Sequence, residues 1–249
     1  MPLSLVLFLA VLAALLLSMV LYAVRGARRD KDAEGKNAQF VGGLADFVLH
    51  WFLWVVDPAA RLSIRLGLTP DFYNFAGLAL GAVAGLGVAF GQLELGGWAL
   101  ALSGVADILD GRIARAQAKS SPYGAFIDAV LDRFIELFFF LGLAFFLRQT
   151  PAAAVVATLA LGGSMLVSYA RAVGEGLHVD CTGGLMQRGE RLALLSLASL
   201  GDRGLCAWAG WPAGSLLLAV AGLIGVTSAF TAVQRTVWIA RQLRARAGH

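Results

Sequence analysis

Long apolar segments, separated by short polar connections, make up most of this chain. An apolar run of about 20 residues is long enough to cross a bilayer as a helix. Hydrophobic residues account for 59% of the 249 residues and charged residues for 14%, whereas soluble domains carry about 25% charged residues. Because lipid offers no partners for the backbone, each segment must satisfy its own hydrogen bonds, as a helix does. The sequence therefore predicts an all-α integral membrane protein.

Six apolar segments after residue 70 are predicted to form a membrane bundle. They cover residues 71–91, 97–118, 122–147, 152–174, 186–201 and 213–238. The first contains Gly77, Gly81 and Gly85, small residues that let neighbouring helices approach closely. The fifth is short of apolar residues, so we expect it to extend beyond the bilayer at its cytoplasmic end.

The N-terminal part of the chain differs from this bundle. Residues 3–24 form an uncharged apolar run with no Lys or Arg ahead of it, and a basic stretch follows. A cleaved signal peptide would have a basic start and a shorter apolar core, so a retained transmembrane anchor is favoured. The predicted domains are therefore an anchor over residues 1–24, a cytoplasmic linker over 25–38 and a main domain over 39–249.

The main domain begins with a segment, Phe40–Val56, that is apolar but rich in aromatic residues. Trp51 and Trp54 favour a helix lying in the membrane interface, although the length also allows a span. Asp57-Pro58 is predicted to end this helix.

The basic residues indicate how the chain is oriented. Under the predicted topology, all but two of the 20 Lys and Arg residues fall on one side of the membrane, the exceptions being Arg148 and Arg203. Because basic residues stay on the cytoplasmic side, the topology predicts a multi-pass protein of the cell membrane. On the opposite surface, we expect Asp202 and Arg203 to form a solvated pair.

Four carboxylates interrupt the apolar pattern, at Asp107, Asp110, Asp128 and Asp132. An acid inside a bilayer is costly, so such acids indicate a functional site. The first two are three residues apart and the last two are four apart, so each pair shares one helix face. With a turn near Lys119–Ser121, the inner and outer acids of the two helices lie about 9–10 Å and about 15 Å from that turn. The spacing therefore predicts two acid pairs at matched depths, at a site that faces the cytoplasm.

Oxygen ligands favour a hard cation, Mg²⁺ or Mn²⁺. Mg²⁺ leaves positions for phosphate oxygens, so a phosphate-bearing substrate is expected. Gly111 and Gly124 remove side chains beside the acids, and Arg115 can bind a phosphate. The alternative is a set of salt bridges with Arg112, Arg115 and Arg133, which explains the charges but not their matched depths.

The complete string is D-x-x-D-G-x-x-A-R-x8-G-x3-D-x3-D, and it resembles the signature of the CDP-alcohol phosphatidyltransferase family at every fixed position. The resemblance implies a six-helix membrane enzyme, usually a homodimer. Such an enzyme would transfer a phosphatidyl group from CDP-diacylglycerol to a polar alcohol and release CMP, with membrane lipid around it. No nucleic-acid partner is expected.

The resemblance also implies roles for individual residues. Asp107, Asp110 and Asp128 would hold a first metal ion, while Asp132 would help to hold a second and act as the catalytic base. The positions that would line the cytidine diphosphate are Gly111, Ala114, Arg115 and Gly124.

A second pattern, S-Y-x-[KR] followed by G-x-x-x-R-x-E-R and a later Q-R, resembles the phosphatidylinositol-phosphate synthase branch. By that likeness Arg171, Arg188 and Arg235 would bind the phosphate of an inositol phosphate acceptor. The chain differs from the branch at Val173, where a further basic residue is expected, so glycerol 3-phosphate stays open as the acceptor. For any one of these arginines, anchoring at the cytoplasmic surface is an equally good interpretation.

Two other functions remain as alternatives. A CDP-choline or CDP-ethanolamine phosphotransferase would use the same motif, but it has no need for the basic acceptor cluster. A cation transporter would distribute its acids across the bilayer, whereas these acids lie at one end of a hairpin.

Overall fold

The computed structural model describes residues 2–25, 43–119, 121–181 and 183–247, so the predicted linker lies almost wholly outside the described residues. Within those ranges the chain forms eight α-helices joined by short connections. They are α1 (Leu3–Val24), α2 (Gly43–Arg65), α3 (Pro70–Ala89), α4 (Leu93–Ala116), α5 (Pro122–Phe146), α6 (Pro151–Gly176), α7 (Arg188–Ala209) and α8 (Ser215–Ala247). The predicted all-α class is confirmed.

Five of the described helices are both long and apolar enough to cross a membrane: α1, the Phe47–Arg65 part of α2, α3, α6 and α8. Helices α4, α5 and α7 each carry four or five charged residues, and they have 24, 25 and 22 residues. At about 1.5 Å per residue each is about 33 Å long or more, which matches the hydrocarbon core of a bilayer. The six predicted segments correspond to α3–α8, and the number that cross the membrane stays a prediction.

The acid hairpin is formed by α4 and α5, and its turn is set by local sequence. Pro122 occupies the first position of α5, where its missing N–H costs nothing. The Ser121 hydroxyl caps this helix by accepting a hydrogen bond from the Gly124 backbone N–H at 3.1 Å. Consequently α5 begins at the predicted residue, and its acids point back along the hairpin toward α4.

The helices α3–α8 share one apolar core. Its fully buried side chains include Leu100, Phe139, Leu143, Leu195, Leu217 and Ile224. Helix α3 reaches α5 through its glycines, as predicted: a Cβ on Gly81 would lie 2.7 Å from Ile135 Cγ1. A Cβ on Gly142 of α5 would in turn overlap the Gly85 carbonyl of α3. Small residues therefore let these two backbones come into direct contact.

We expect Gly142→Ala to destabilise the bundle by about 1–3 kcal/mol, because the new methyl group would force α3 and α5 apart. Gly162→Ala on α6 is the matched control, since a Cβ there has nothing within 4 Å. Because alanine favours a helix over glycine, the control is expected to be neutral or slightly stabilising. Thermal unfolding of the purified protein in detergent measures both, and equal melting temperatures would contradict the close packing of α3 on α5.

Helix α1 packs against α7 and α2. A Cβ on Gly204 of α7 would lie 2.7 Å from the Leu5 backbone, and the Phe8 ring covers Gly201. Trp51 Nε1 of α2 donates a hydrogen bond to Ser18 Oγ at 3.0 Å. The predicted anchor is thus part of the helix packing, while its role as a separate domain stays a prediction.

Several predicted helix ends are wrong. Helix α2 continues through Pro58 to Arg65 instead of ending at Asp57-Pro58. Pro58 has no backbone N–H to donate to the preceding turn. Arg112 of α4 supplies two side-chain donors to that turn. Its Nη1 donates to the Leu53 carbonyl at 2.8 Å, and its Nη2 donates to Asp57 Oδ1 at 3.2 Å. Helices α7 and α8 also run eight or nine residues further than predicted, to residues 209 and 247.

The prediction of a solvated pair at Asp202 and Arg203 is also wrong. Asp202 is fully buried and accepts hydrogen bonds from the backbone N–H groups of Gly214 at 2.6 Å and Leu217 at 2.9 Å. It caps the start of α8, where free N–H groups favour a carboxylate. Arg203 instead lies 3.6 Å from Glu94.

Candidate active site

Three carboxylates meet at the acid hairpin. Asp107 of α4 and Asp128 and Asp132 of α5 each offer one oxygen, and these oxygens lie within 4.8 Å of one another. Asp107 and Asp128 are partly buried, and Asp132 is buried. The side chains therefore converge from two antiparallel helices, although as a group of three and not as the two matched pairs that the spacing predicts.

Asp110, the fourth predicted ligand, lies beside this group without joining the three oxygens. It follows Asp107 by three residues on α4, on the same helix face and closer to the hairpin turn. Its side chain is buried, with 7% of the residue exposed. A carboxylate held there adds negative charge to the site from the turn side.

The donor set of this cluster consists of carboxylate oxygens alone. Hard divalent cations such as Mg²⁺ and Mn²⁺ prefer such ligands, whereas zinc and copper prefer nitrogen or sulfur. Oxygens within a few ångströms of one another can coordinate one ion together. The chemistry of these side chains therefore fits the predicted Mg²⁺ or Mn²⁺.

Arg188 reaches the carboxylates from α7. Its Nη1 lies 3.0 Å from Asp107 Oδ1, and its Nη2 lies 2.6 Å from Asp132 Oδ1. A capping box between Gln187 and Glu190 fixes the start of α7, so that Arg188 is its first helical residue. One arginine of the predicted acceptor group is therefore in direct contact with the predicted metal ligands.

The two other predicted acceptor arginines are held elsewhere. Arg171 is exposed at the end of α6, where its Nε lies 2.7 Å from Glu175 Oε1. Arg235 of α8 is buried, and it donates from Nε to the Gly183 carbonyl at 2.9 Å and from Nη1 to the Val167 carbonyl at 3.0 Å. Arg235 thus holds the α6–α7 connection against α8.

The predicted nucleotide-binding residues lie around the hairpin turn. A Cβ on Gly111 would meet the Arg115 guanidinium at 3.3 Å, so glycine makes room for that side chain. Ala114 lies between them on α4, and Gly124 belongs to the capped first turn of α5. Arg115 also lines a cavity of about 290 Å³ between α2 and α4, beside Arg61.

Arg112 faces this same cavity, and its Nη2 pairs with Asp57 Oδ1 of α2 at 3.2 Å. An acid outside the motif thus meets this arginine, which weakens the alternative in which the motif acids serve to pair Arg112. Arg133 does lie near the site, with Nη2 3.9 Å from Asp132 Oδ2.

A buried network below the carboxylates was not predicted. Glu136 of α5 is 1% exposed, and its two oxygens bind Arg191 Nη2 at 2.8 Å and Ser164 Oγ at 2.7 Å. The spacing carries a signal for it, because Glu136 follows Asp132 by four residues just as Asp132 follows Asp128. Arg191 likewise follows Arg188 by three residues.

Comparison with known proteins connects this geometry to a family. Residues 68–238 match the CDP-alcohol phosphatidyltransferase family. The archaetidylinositol phosphate synthase of Methanothermobacter thermautotrophicus is 30% identical over 189 residues, which are 76% of this chain and 90% of that protein. The phosphatidylinositol phosphate synthase of Mycobacterium bovis is 38% identical over 199 residues, 75% of this chain and 87% of that protein.

Solved structures are similar over the same region. The crystal structure of Mycobacterium tuberculosis phosphatidylinositol phosphate synthase with CDP-DAG bound has a TM-score of 0.64 and 28% identity, covering 74% of this chain and 93% of that one. A second structure of that enzyme, in complex with manganese and citrate, has the same TM-score and covers 88% of that chain. Since the matched residues include both the acid hairpin and the helices packed around it, the chain belongs to the CDP-alcohol phosphatidyltransferase family of membrane enzymes.

Proposed function

We propose that this protein transfers a phosphatidyl group from CDP-diacylglycerol to inositol phosphate and releases CMP. The observation that carries this proposal is the contact of Arg188 with the cluster of Asp107, Asp128 and Asp132. A guanidinium, which can bind phosphate, and a carboxylate cluster, which can bind metal ions, thus lie side by side. Relatives named phosphatidylinositol phosphate synthase, one of them with CDP-DAG bound, support the choice of substrates.

The four acids would hold two divalent ions, with Asp107, Asp110 and Asp128 at the first and Asp132 at the second. A bound Mg²⁺ or Mn²⁺ supplies positive charge that neutralises the diphosphate and the leaving CMP. Manganese in the crystal structure of the Mycobacterium tuberculosis enzyme supports the choice of metal. The clustered oxygens would hold such ions at the cytoplasmic end of the hairpin, where both polar substrates can arrive.

Asp132 would act as the base. The acceptor oxygen forms a bond to the phosphorus that carries the diacylglycerol, the bond from that phosphorus to the bridging oxygen of CMP breaks, and the hydroxyl proton passes to an Asp132 oxygen. Asp132 is buried, so its carboxylate is shielded from water until the acceptor binds. One of its two oxygens lies 2.6 Å from Arg188 Nη2, so the base and the arginine proposed to bind the acceptor phosphate are neighbours.

The donor would lie across the hairpin, with its nucleotide against Gly111, Ala114, Arg115 and Gly124. Gly111 makes room for the Arg115 guanidinium, and a Cβ on Gly124 would meet only Ser121 Oγ, at 3.4 Å. A site at the end of two membrane helices allows the acyl chains to remain in the bilayer while the diphosphate reaches the acids. In this arrangement, membrane lipid surrounds the enzyme and also supplies one of its substrates.

Two features of the assembly belong to the same proposal. The concentration of Lys and Arg at the end of the bundle that carries the acids supports an active site facing the cytoplasm, in the cell membrane. A homodimer is the arrangement that the family resemblance implies.

An acceptor series tests the function. Purified protein in detergent receives CDP-diacylglycerol and Mn²⁺ with inositol phosphate, glycerol 3-phosphate, inositol or serine in turn. We expect CMP release to be fastest with inositol phosphate and slow with unphosphorylated inositol, because Arg188, the arginine in contact with the acid cluster, would bind the acceptor phosphate. Preference for glycerol 3-phosphate would move the enzyme to another branch of the family, and preference for unphosphorylated inositol or serine would contradict the acceptor site.

Arg188→Ala is expected to raise the KM for inositol phosphate by about 10-fold or more, since a hydrogen bond to a charged group contributes about 1.5–3 kcal/mol. The KM for CDP-diacylglycerol is expected to stay near the wild-type value. Arg241→Ala on the exposed end of α8 is the matched control and should leave both constants unchanged. Steady-state kinetics measures this, and an unchanged acceptor KM in Arg188→Ala would favour the anchoring role instead.

A further inference from the structure

Two arginine–carboxylate pairs connect α5 with α7. The outer pair joins Arg188 to Asp132 at 2.6 Å, and the inner pair joins Arg191 to Glu136 at 2.8 Å. Asp132 and Glu136 are four residues apart on α5, while Arg188 and Arg191 are three apart on α7. Each set therefore lies on one face of its helix, and the inner pair is one helical turn further from the acid cluster.

The inner pair is buried far more completely than the outer pair. The side chains of Arg191 and Glu136 are 2% and 1% exposed, whereas those of Arg188 and Asp132 are 16% and 12% exposed. Helix α6 also contributes, because Ser164 Oγ donates to the second Glu136 oxygen at 2.7 Å. Three helices, α5, α6 and α7, thus meet at one carboxylate.

A buried ion pair such as Arg191–Glu136 contributes little to the free energy of unfolding. Removing two charges from water costs as much as their attraction returns, and apolar residues of similar size in the same place are often at least as stable. Directional bonds between charged groups do, however, specify one relative placement of the helices that carry them. The inner pair would therefore set how α7 is rotated and how deep it lies against α5.

We propose that Glu136 is a positioning residue for the transfer reaction, acting through Arg191 on Arg188. This inference rests on the proposed function, in which Arg188 binds the phosphate of the acceptor. With Arg191 held by Glu136, the preceding turn of α7 places the Arg188 guanidinium within reach of both Asp107 and Asp132. Without the inner pair, α7 can rotate or shift, and Arg188 loses its defined place.

Arg133 extends the effect of Glu136 to the base. Its Nη1 donates to Ser168 Oγ of α6 and lies 3.6 Å from Glu136 Oε2, while its Nη2 lies 3.9 Å from Asp132 Oδ2. The Glu136 charge thus holds a guanidinium beside Asp132 as well as the one on α7. Loss of the Glu136 charge is therefore expected to displace both Arg188 on α7 and Arg133 beside Asp132.

The decisive variant replaces both members of the inner pair, as Glu136→Leu with Arg191→Met. Because both charges of the inner pair are removed together, and Arg133 keeps Ser168 and Asp132 as neighbours, the protein is expected to fold, with a melting temperature near that of the wild type. We expect its KM for inositol phosphate to rise by about 10-fold or more while its KM for CDP-diacylglycerol stays within about twofold. A purely structural role would reduce the amount of active enzyme and so the apparent kcat, without changing the acceptor KM of the molecules that remain folded.

A second variant keeps the test decisive if that protein folds poorly. Glu136→Asp preserves the charge for Arg191 but is one methylene shorter, so α7 should shift without losing its partner. We expect a smaller rise of the acceptor KM, about threefold or more, with an unchanged donor KM. The matched control is Glu94→Leu with Arg203→Met, which removes an ion pair between α4 and α7 at the other end of the bundle and should leave both KM values unchanged.

A double-mutant cycle completes the experiment. If Glu136 acts through Arg188, then Arg188→Ala should raise the acceptor KM much less in the Glu136→Leu, Arg191→Met background than in the wild type. Full additivity, or an acceptor KM within about twofold of the wild type in both Glu136 variants, would overturn the positioning role. Failure of the wild type itself to release CMP with inositol phosphate would instead overturn the proposed function.

Discussion

Asp132→Asn is expected to lower the turnover number by about 10²–10⁴-fold, the range that a general base contributes. Asparagine has nearly the same shape, but its amide cannot accept the proton of the acceptor hydroxyl. Since Asp107, Asp110 and Asp128 remain, metal-dependent binding of cytidine nucleotide should persist. CMP release measures the first effect, and titration with a fluorescent CDP analogue in the presence of Mn²⁺ measures the second.

The matched control for this substitution is Asp180→Asn, which removes an exposed carboxylate from the connection between α6 and α7. Its turnover number should equal that of the wild type. Full activity in Asp132→Asn would exclude Asp132 as the base, while loss of nucleotide binding together with activity would make it mainly a metal ligand.

Removal of divalent metal is expected to abolish CMP release completely. Breaking the diphosphate bond requires charge neutralisation that the acids alone, being negative, would oppose. Activity should return when Mg²⁺ or Mn²⁺ is added in excess over the chelator. The Asp107→Asn variant should need a higher metal concentration for half-maximal activity, because one of the three clustered oxygens would be replaced by a weaker ligand.

Dialysis against a chelator, followed by metal titration with CMP release as the readout, measures this requirement. The control is the same titration of Asp71→Asn, an exposed acid in the first turn of α3, which should follow the wild-type curve. Undiminished CMP release without metal, or the same metal titration for Asp107→Asn and the wild type, would contradict the role of the carboxylates.

Much of the acid site can be predicted from the sequence because its rules are local. Helical periodicity alone places Asp128 and Asp132 on one face, and a hairpin turn at Ser121 brings that face against Asp107. The spacing of the α3 glycines likewise indicates close helix packing. In both places the residues that meet are determined by spacing within one or two neighbouring helices.

The remaining features depend on pairing across long stretches of chain. The sequence predicts that Pro58 ends α2, but Arg112 contacts the preceding turn from 59 residues away. The sequence also predicts that Asp202 is solvated, because the residue follows an apolar stretch. In the structure its carboxylate is buried, since it accepts a hydrogen bond from the Leu217 N–H at the start of α8. The same limitation hides the bond between Glu136 and Arg191, which are 55 residues apart and whose partnership no local pattern determines.

Transfer of the acceptor into lipid is the most direct test of the central claim, that the carboxylates and Arg188 form a phosphatidyltransferase site. Purified protein receives CDP-diacylglycerol, Mn²⁺ and isotopically labelled inositol phosphate, and both products are quantified. We predict one labelled phospholipid for each CMP released. In Asp132→Asn, we expect both products to form about 10²–10⁴-fold more slowly than in the wild type. CMP released without incorporation of label, or no CMP release at all, would contradict this claim.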